Sequence, residues 1–240
     1  YLYDEPHFLL QQEVSEVGSY FSIIKAIAAG NHKLSTIAAV LEVKSTNLTK
    51  YLKTLMDLDI LERRVPVTEE NPEKSKRGLY KIKDNYLRFW FAFIYPNMSF
   101  IESGYSGIVM DKIHRGLTTS HIGFVYEDIC QERMWELNVN NAWPFQFSKL
   151  GGYWDAKNEI DIAALDPEGK NLILGECKYW KEPVGLNVLH ALEAKACDVA
   201  WERDRRKVWY VLFSISGFSD ELRNHAATRD DLLLIDDRGR

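Results

Sequence analysis

The sequence predicts a mixed chain, α+β passing into α/β: an all-α N-terminal region closed by a β-wing, then an α-β-β-β-α-β domain. Three observations predict it. Apolar residues recur at three- and four-residue spacing over the first sixty positions and then give way to a hairpin pattern. A strongly aromatic stretch occupies residues 86–105. Beyond residue 140, short apolar runs separated by turn residues alternate with helical stretches. The boundaries read as 1–85, an aromatic helical connector over 86–118, and a second domain over 119–240.

Val14, Val17, Tyr20, Phe21, Ile24 and Ile27 mark a first helix from about Gln12 to Ala29, ended by Gly30 and Asn31. A short helix follows from about Ser35 to Leu41, with Ile37, Val40 and Leu41 turned inward. Ser45 reads as the N-cap of a third helix whose stripe is Leu48, Tyr51, Leu52, Leu55 and Met56. Its other face carries Thr46, Asn47, Thr49, Lys50 and Lys53. The strands DILERRVPV and LYKIKD, joined by the polar loop TEENPEKSKRG, complete a hairpin. Three helices and a hairpin make the winged helix-turn-helix pattern, in which one helix enters a DNA groove and the wing touches backbone. On that reading Arg63, Arg64, Lys76 and Arg77 contact phosphate, and the polar face of the third helix contacts base edges or sugar. A protein-docking role for the same fold stands beside it. The aromatic stretch reads as core or interdomain packing in a helix broken near Pro96.

In the second domain, helices over about Ser106–Leu117 and His121–Leu137 precede three strands, AWPFQFSKL, EIDIAAL and NLILGECKYW. The turn DPEGK joins the last two. A helix over Leu186–Trp201, the strand KVWYVLFSI, a short helix from Ser219 and the strand LLLI complete it. Asp161 lies in an apolar strand, with Ile160 and Ile162 assigned to its opposite face. Glu176 and Lys178 share one face of the next strand, with Cys177 pointing away. Charges inside apolar strands are costly unless paired or bound to metal. Asp161 and Glu176 are hard oxygen donors suited to Mg²⁺ or Mn²⁺, and Lys178 can position water for phosphodiester hydrolysis. Glu127, on the preceding helix, is the best-placed third acid. Asp155 and Glu159 are weaker acidic candidates; Glu193 and Lys195 face the same general region from the following helix, and a solvated helix face explains them equally well.

The stretch NEIDIAALDPEGKNLILGECKYW resembles the core motif of the PD-(D/E)XK nuclease superfamily, an Asp on one strand and Glu-x-Lys on the next. Asp161 stands between two isoleucines rather than in a literal Pro-Asp pair. The resemblance implies a restriction endonuclease-like fold and catalytic Asp161, Glu176, Lys178 and Glu127, with the three carboxylates holding the metal. The wider succession of winged helix, YKIKDNYLRFWFAFIYPN, GGYWDAKNEIDIAAL and GECKYW resembles the C-terminal portion of archaeal-type DEXX-box ATPases. Those chains join a P-loop ATPase domain to a winged helix and a nuclease-like domain of unknown function. No GxxxxGK[ST] occurs, so no ATP site is expected in these residues, and an ATPase domain of the same full-length chain is an expected partner. An opening at Tyr1 reads as a fragment of something longer.

Composition bounds the partners and the compartment. The apolar fraction of 46% and charged fraction of 27% are those of a globular protein. The net charge of −5 comes from the second half, while residues 63–83 form a local basic segment. Three scattered cysteines without a CxxC pair argue for a reducing compartment, read as cytoplasmic. No apolar run approaches the roughly 18 residues of a membrane span. DNA is the expected ligand, and monomer and homo-oligomer are both open. Two functions follow: a DNA-binding, divalent-metal-dependent deoxyribonuclease, or a non-catalytic DNA- or protein-binding regulatory module of a signalling ATPase with a degenerate nuclease fold.

Overall fold

The computed structural model describes Pro6 and residues 16–236, with Ser120 described by its backbone alone. The chain is mixed α/β and divides into two compact units: Tyr1–Arg64 with Lys74–Leu117, and Val65–Glu73 with Thr118–Arg240. Among the described residues, no helix is long and apolar enough to cross a membrane.

In the first unit, helix α1 (Val17–Ala28) buries Tyr20, Phe21, Ile23, Ile24 and Ile27. Gly30, at φ +93°, turns the chain out of it, a conformation that a side chain would disfavour. The part of this helix expected over residues 12–15 lies outside the described residues. Helix α2 (Leu34–Val40) buries Ile37 and Ala38, but Val40 is exposed rather than inward. In α3 (Ser45–Asp57), Leu48, Leu52 and Leu55 recur at helical spacing and are buried. Ser45 is not its cap. Lys44 holds the extended cap conformation, so Ser45 is already helical and no side chain caps the helix.

Strands β1 (Leu61–Arg64) and β2 (Leu79–Ile82) pair antiparallel, Leu61 opposite Ile82. The chain then enters α4 (Asn85–Phe89), capped by Asp84, whose Oδ1 accepts from the Leu87 N–H at 2.7 Å. A π-turn over Trp90–Ile94 and a 3₁₀ turn over Tyr95–Asn97 break the helix where Pro96 lacks an N–H. Two further helices follow, α5 (Met98–Glu102) and α6 (Ser106–Leu117). Trp90 and Phe91 are buried with Phe21 in the core of this unit, so part of the aromatic stripe is core. Ring centroids of Phe21 and Phe91 lie 5.2 Å apart.

The second unit is a five-stranded sheet between helices. Helix α7 (Gly123–Val139) precedes β3 (Lys149–Trp154), β4 (Glu159–Leu165) and β5 (Asn171–Lys178). Then come α8 (Leu186–Asp198), β6 (Lys207–Ser214), α9 (Asp220–Ala226) and β7 (Leu232–Asp236). The strand order is β3-β4-β5-β6-β7, antiparallel through β5 and parallel from β5 to β7. Helix α8 and Leu222 of α9 cover one face over Ala163, Leu165, Leu172 and Leu174. Helix α7 covers the other, with Tyr126, Cys130 and Met134 against Ile162, Ala164 and Ile173.

The first strand of this sheet starts at Lys149, not at Ala142. The reason is Asn138, a buried residue at the end of α7. Its amide donates to the Phe147 carbonyl and accepts from the Phe147 N–H, both at 3.0 Å. Those backbone groups are thereby satisfied without a strand partner. Asn138→Leu is expected to destabilise the protein by about 1–3 kcal/mol, because two buried backbone groups lose their partner. Urea titration reads this out, and an unchanged midpoint would mean that water replaces the amide.

Candidate functional site

The site is built where β4 and β5 meet. Ile162 lies opposite Gly175 in the antiparallel register, and one further step along both strands brings Asp161 against Glu176. A β-bulge stands next to it. Between Gly151–Ala163 and Tyr153–Ile160, two steps of β3 face three steps of β4. An extra residue in a strand re-aims the side chains at that point. The face assignment of the flanking residues changes accordingly: Ile160 packs on the α8 side with Ala163 and Leu165, while Ile162 packs on the α7 side. The two isoleucines do not share the face opposite Asp161.

Gly175 permits the close approach of β5 to β6. A Cβ there would meet Val211 Cγ1 at 2.6 Å and the Val211 carbonyl oxygen at 2.9 Å. Glu176 follows, buried to 6% side-chain exposure, with each carboxylate oxygen on a different ammonium. Lys178 Nζ donates to Oε2, and Lys195 Nζ, reaching in from α8, donates to Oε1 at 2.6 Å. Lys195 also donates to the Glu159 carbonyl at 2.7 Å, which ties α8 to the start of β4. Asp161, at 16% side-chain exposure, accepts from the Cys177 N–H at 2.8 Å and lies 3.5 Å from Lys178 Nζ.

Electrostatics divide the two carboxylates. Burial, followed by the charge of Glu176, pushes the Asp161 carboxyl up to about 6, against the pull of Lys178. Burial pushes Glu176 upward too, but Lys178 and Lys195 outweigh it and hold the group below the ordinary glutamate range. Lys178 is held above its usual range, since Asp161 and Glu176 overcome the effect of its burial. Cys177 points to the α7 side, where burial, then the Cys130 thiol, then the charges of Asp161 and Glu127 keep its thiol protonated.

A raised carboxyl has a stability consequence. Asp161 binds a proton more tightly folded than unfolded, so its contribution is present below the ordinary aspartate range and lost as pH rises through about 6. Replacing it by Asn removes that loss. Relative to wild type, Asp161→Asn is expected to gain on the order of 2–3 kcal/mol between pH 4 and pH 8 in metal-free buffer. Denaturation midpoints at the two pH values measure it, and a pH-independent difference would contradict the assignment.

Of the residues expected at or near the site, the structure brings Asp161, Glu176, Lys178 and Lys195 together. Glu127 sits on α7, which packs on the face opposite α8. Its charge reaches Cys177. Among the described residues, however, no three His, Cys, Asp or Glu side chains are grouped to hold a metal ion. Asp155 takes a structural part: its Oδ1 accepts from the N–H groups of Lys157 and Asn158 at 2.7 and 2.8 Å, closing the β3–β4 turn. Glu193 pairs with Arg229 at 2.5 Å. Lys195, one of the two residues expected to face this region from the following helix, lies one residue before buried Ala196 and three beyond buried Leu192.

In the first unit, Thr46, Asn47, Thr49, Lys50 and Lys53 are all exposed on α3, opposite its buried leucines. Lys76 and Arg77 are exposed in the hairpin loop. Arg63 and Arg64 are partly buried and engaged. Arg63 Nη2 donates to the Ser75 carbonyl at 2.5 Å, and Arg64 Nε pairs with Glu62 at 2.5 Å. Both shape the hairpin.

Comparison with known proteins gives two findings. Residues 90–196 match the family DUF234, described as archaea bacterial proteins of unknown function. The chain is also 41% identical over 178 residues to an uncharacterized protein of Methanocaldococcus jannaschii. That match covers 74% of this chain and 39% of the relative, so the chain spans about two fifths of that relative's length.

Proposed function

We propose that the chain is a DNA-binding module carrying a divalent-metal-dependent phosphodiesterase site of the PD-(D/E)XK type, acting in the cytoplasm. In this reading the three helices and hairpin of the first unit are a winged helix-turn-helix. The observation that carries it is the half-buried cluster of Asp161, Glu176 and Lys178 beside a strand bulge. The order α7-β3-β4-β5-α8-β6, antiparallel and then parallel, supports the same reading.

The donor chemistry fits a hard cation. Two carboxylates meet in a poorly hydrated place, and Asp161 retains its proton up to about pH 6 because of burial and Glu176. Asp161 and Glu176 would hold Mg²⁺ or Mn²⁺, which supplies charge to polarise the phosphate and acidify a water. Lys195 keeps the Glu176 carboxylate in place, and Lys178 offers an ammonium to a non-bridging oxygen or to the attacking water. Exposed Thr46, Asn47, Thr49, Lys50 and Lys53 would meet the groove, and Lys76 and Arg77 the backbone. An ATPase domain in the same full-length protein is the proposed partner.

A specific observation favours a second reading. Both Glu176 oxygens are already held by lysines, as in a site retained for folding and recognition rather than turnover. Calorimetric titration with Mn²⁺ separates the two. The first reading expects binding that Glu176→Gln and Asp161→Asn abolish; absence of binding in the folded wild type selects the second.

A further inference from the structure

Beyond Lys178 the chain leaves the sheet through Tyr179 and Trp180. The backbone that carries the indole is fixed on both sides by contacts of Tyr179 and of Trp180's own carbonyl. Tyr179 packs edge-on against Tyr126 of α7, with centroids 5.6 Å apart, and the Trp180 carbonyl accepts a hydrogen bond from the Ser216 hydroxyl. The Trp180 side chain nevertheless stays open, at 47% exposure. Lys178 Nζ lies 5.8 Å from the centre of its ring. The same ammonium contacts Glu176 and lies 3.5 Å from Asp161 Oδ2.

A residue serving only as packing would be expected to bury a ring of this size. Here a half-exposed indole on a pinned backbone stands at the rim of a charged cluster, beside a cation suited to phosphate. Such a face gains by stacking on a nucleobase, and its own ordering cost is small because its backbone is already pinned. Bases within a duplex are stacked on each other and offer it no free face.

We propose that Trp180 stacks on an unpaired nucleobase flanking the phosphate bound at the acidic cluster, which makes the substrate single-stranded or locally unpaired DNA. This deepens the phosphodiesterase reading and rests on it. Trp180 acts in positioning the strand; Asp161, Glu176 and Lys178 keep the reacting phosphate.

The test uses the whole 240-residue chain with Ca²⁺, a hard cation suited to the same oxygen donors, and with fluorescent oligothymidylate and an abasic strand of equal length as probes. Wild type is expected to bind the thymidylate about tenfold more tightly or better, the scale of one base–aromatic stack. Trp180→Ala should bind both strands equally, with abasic affinity unchanged, and Trp180→Phe should restore part of the preference. Wild type without a preference overturns the proposal. So does a Trp180→Ala variant that keeps the preference, or one that loses affinity for both strands alike. Cleavage of the same thymidylate with Mn²⁺ is scored separately. Preference without cleavage sinks the hydrolytic reading alone, and cleavage without preference sinks the stacking alone.

Discussion

With Mn²⁺ present, the wild-type chain is expected to cut DNA, and Asp161→Asn or Lys178→Ala to slow cutting at least about a hundredfold. The size of the effect follows from where the charges sit. Asp161 and Glu176 are shielded from bulk water, so charge complementarity there is screened far less than at a surface. Lys178 contacts Glu176 and lies beside Asp161, and no lysine in the described chain other than Lys195 pairs with that acidic set. Gel assays on supercoiled and single-stranded substrates measure the rates, with circular dichroism controlling for folding. Wild-type protein that leaves both substrates intact, or variants that cut as fast as wild type, would remove catalysis from this chain.

The second large effect is on stability. Glu176→Leu is expected to cost about 3–5 kcal/mol, because Lys178 and Lys195 lose the carboxylate that compensates them in a half-dry site. The charge left behind, rather than the lost contact, sets the magnitude. Combining Glu176→Leu with Lys178→Met and Lys195→Met should therefore recover most of the loss. Chemical denaturation of the single and triple variants reads the coupling directly. If the triple variant is less stable than Glu176→Leu alone, the lysines stabilise the fold by packing and not by charge.

Much of this arrangement could be read from residue order, and the parts that could not have definite causes. The strand boundaries of β4 and the start of β5 follow from apolar runs closed by Pro167 and Gly169. Asp161, Glu176 and Lys178 stood out because charge inside such runs is expensive. Alternation misplaced Ile160, because a bulge changes the phase of a strand without altering its composition. The late start of β3 was equally hidden, since it depends on the side chain of Asn138 replacing a strand partner for Phe147. Lys195 fits a solvated helix face as well as the site by sequence alone, and only tertiary folding sets it against Glu176. Arg63 and Arg64 carry the composition of a phosphate contact, but local partners engage them within the hairpin.

The segment Val65–Glu73 bears on how the second unit can be dissected. Strand β3 is an outer strand, and the Val67 N–H donates to its Gly152 carbonyl at 3.0 Å while the Val67 side chain packs towards the apolar core. Nine residues distant in sequence thus shield part of an open sheet edge. A gene trimmed to begin at residue 119 would encode every strand of the sheet yet expose that edge to other copies, favouring intermolecular pairing and aggregation. Autonomy of this unit therefore depends on a passage of chain that a linear domain map would assign to its neighbour.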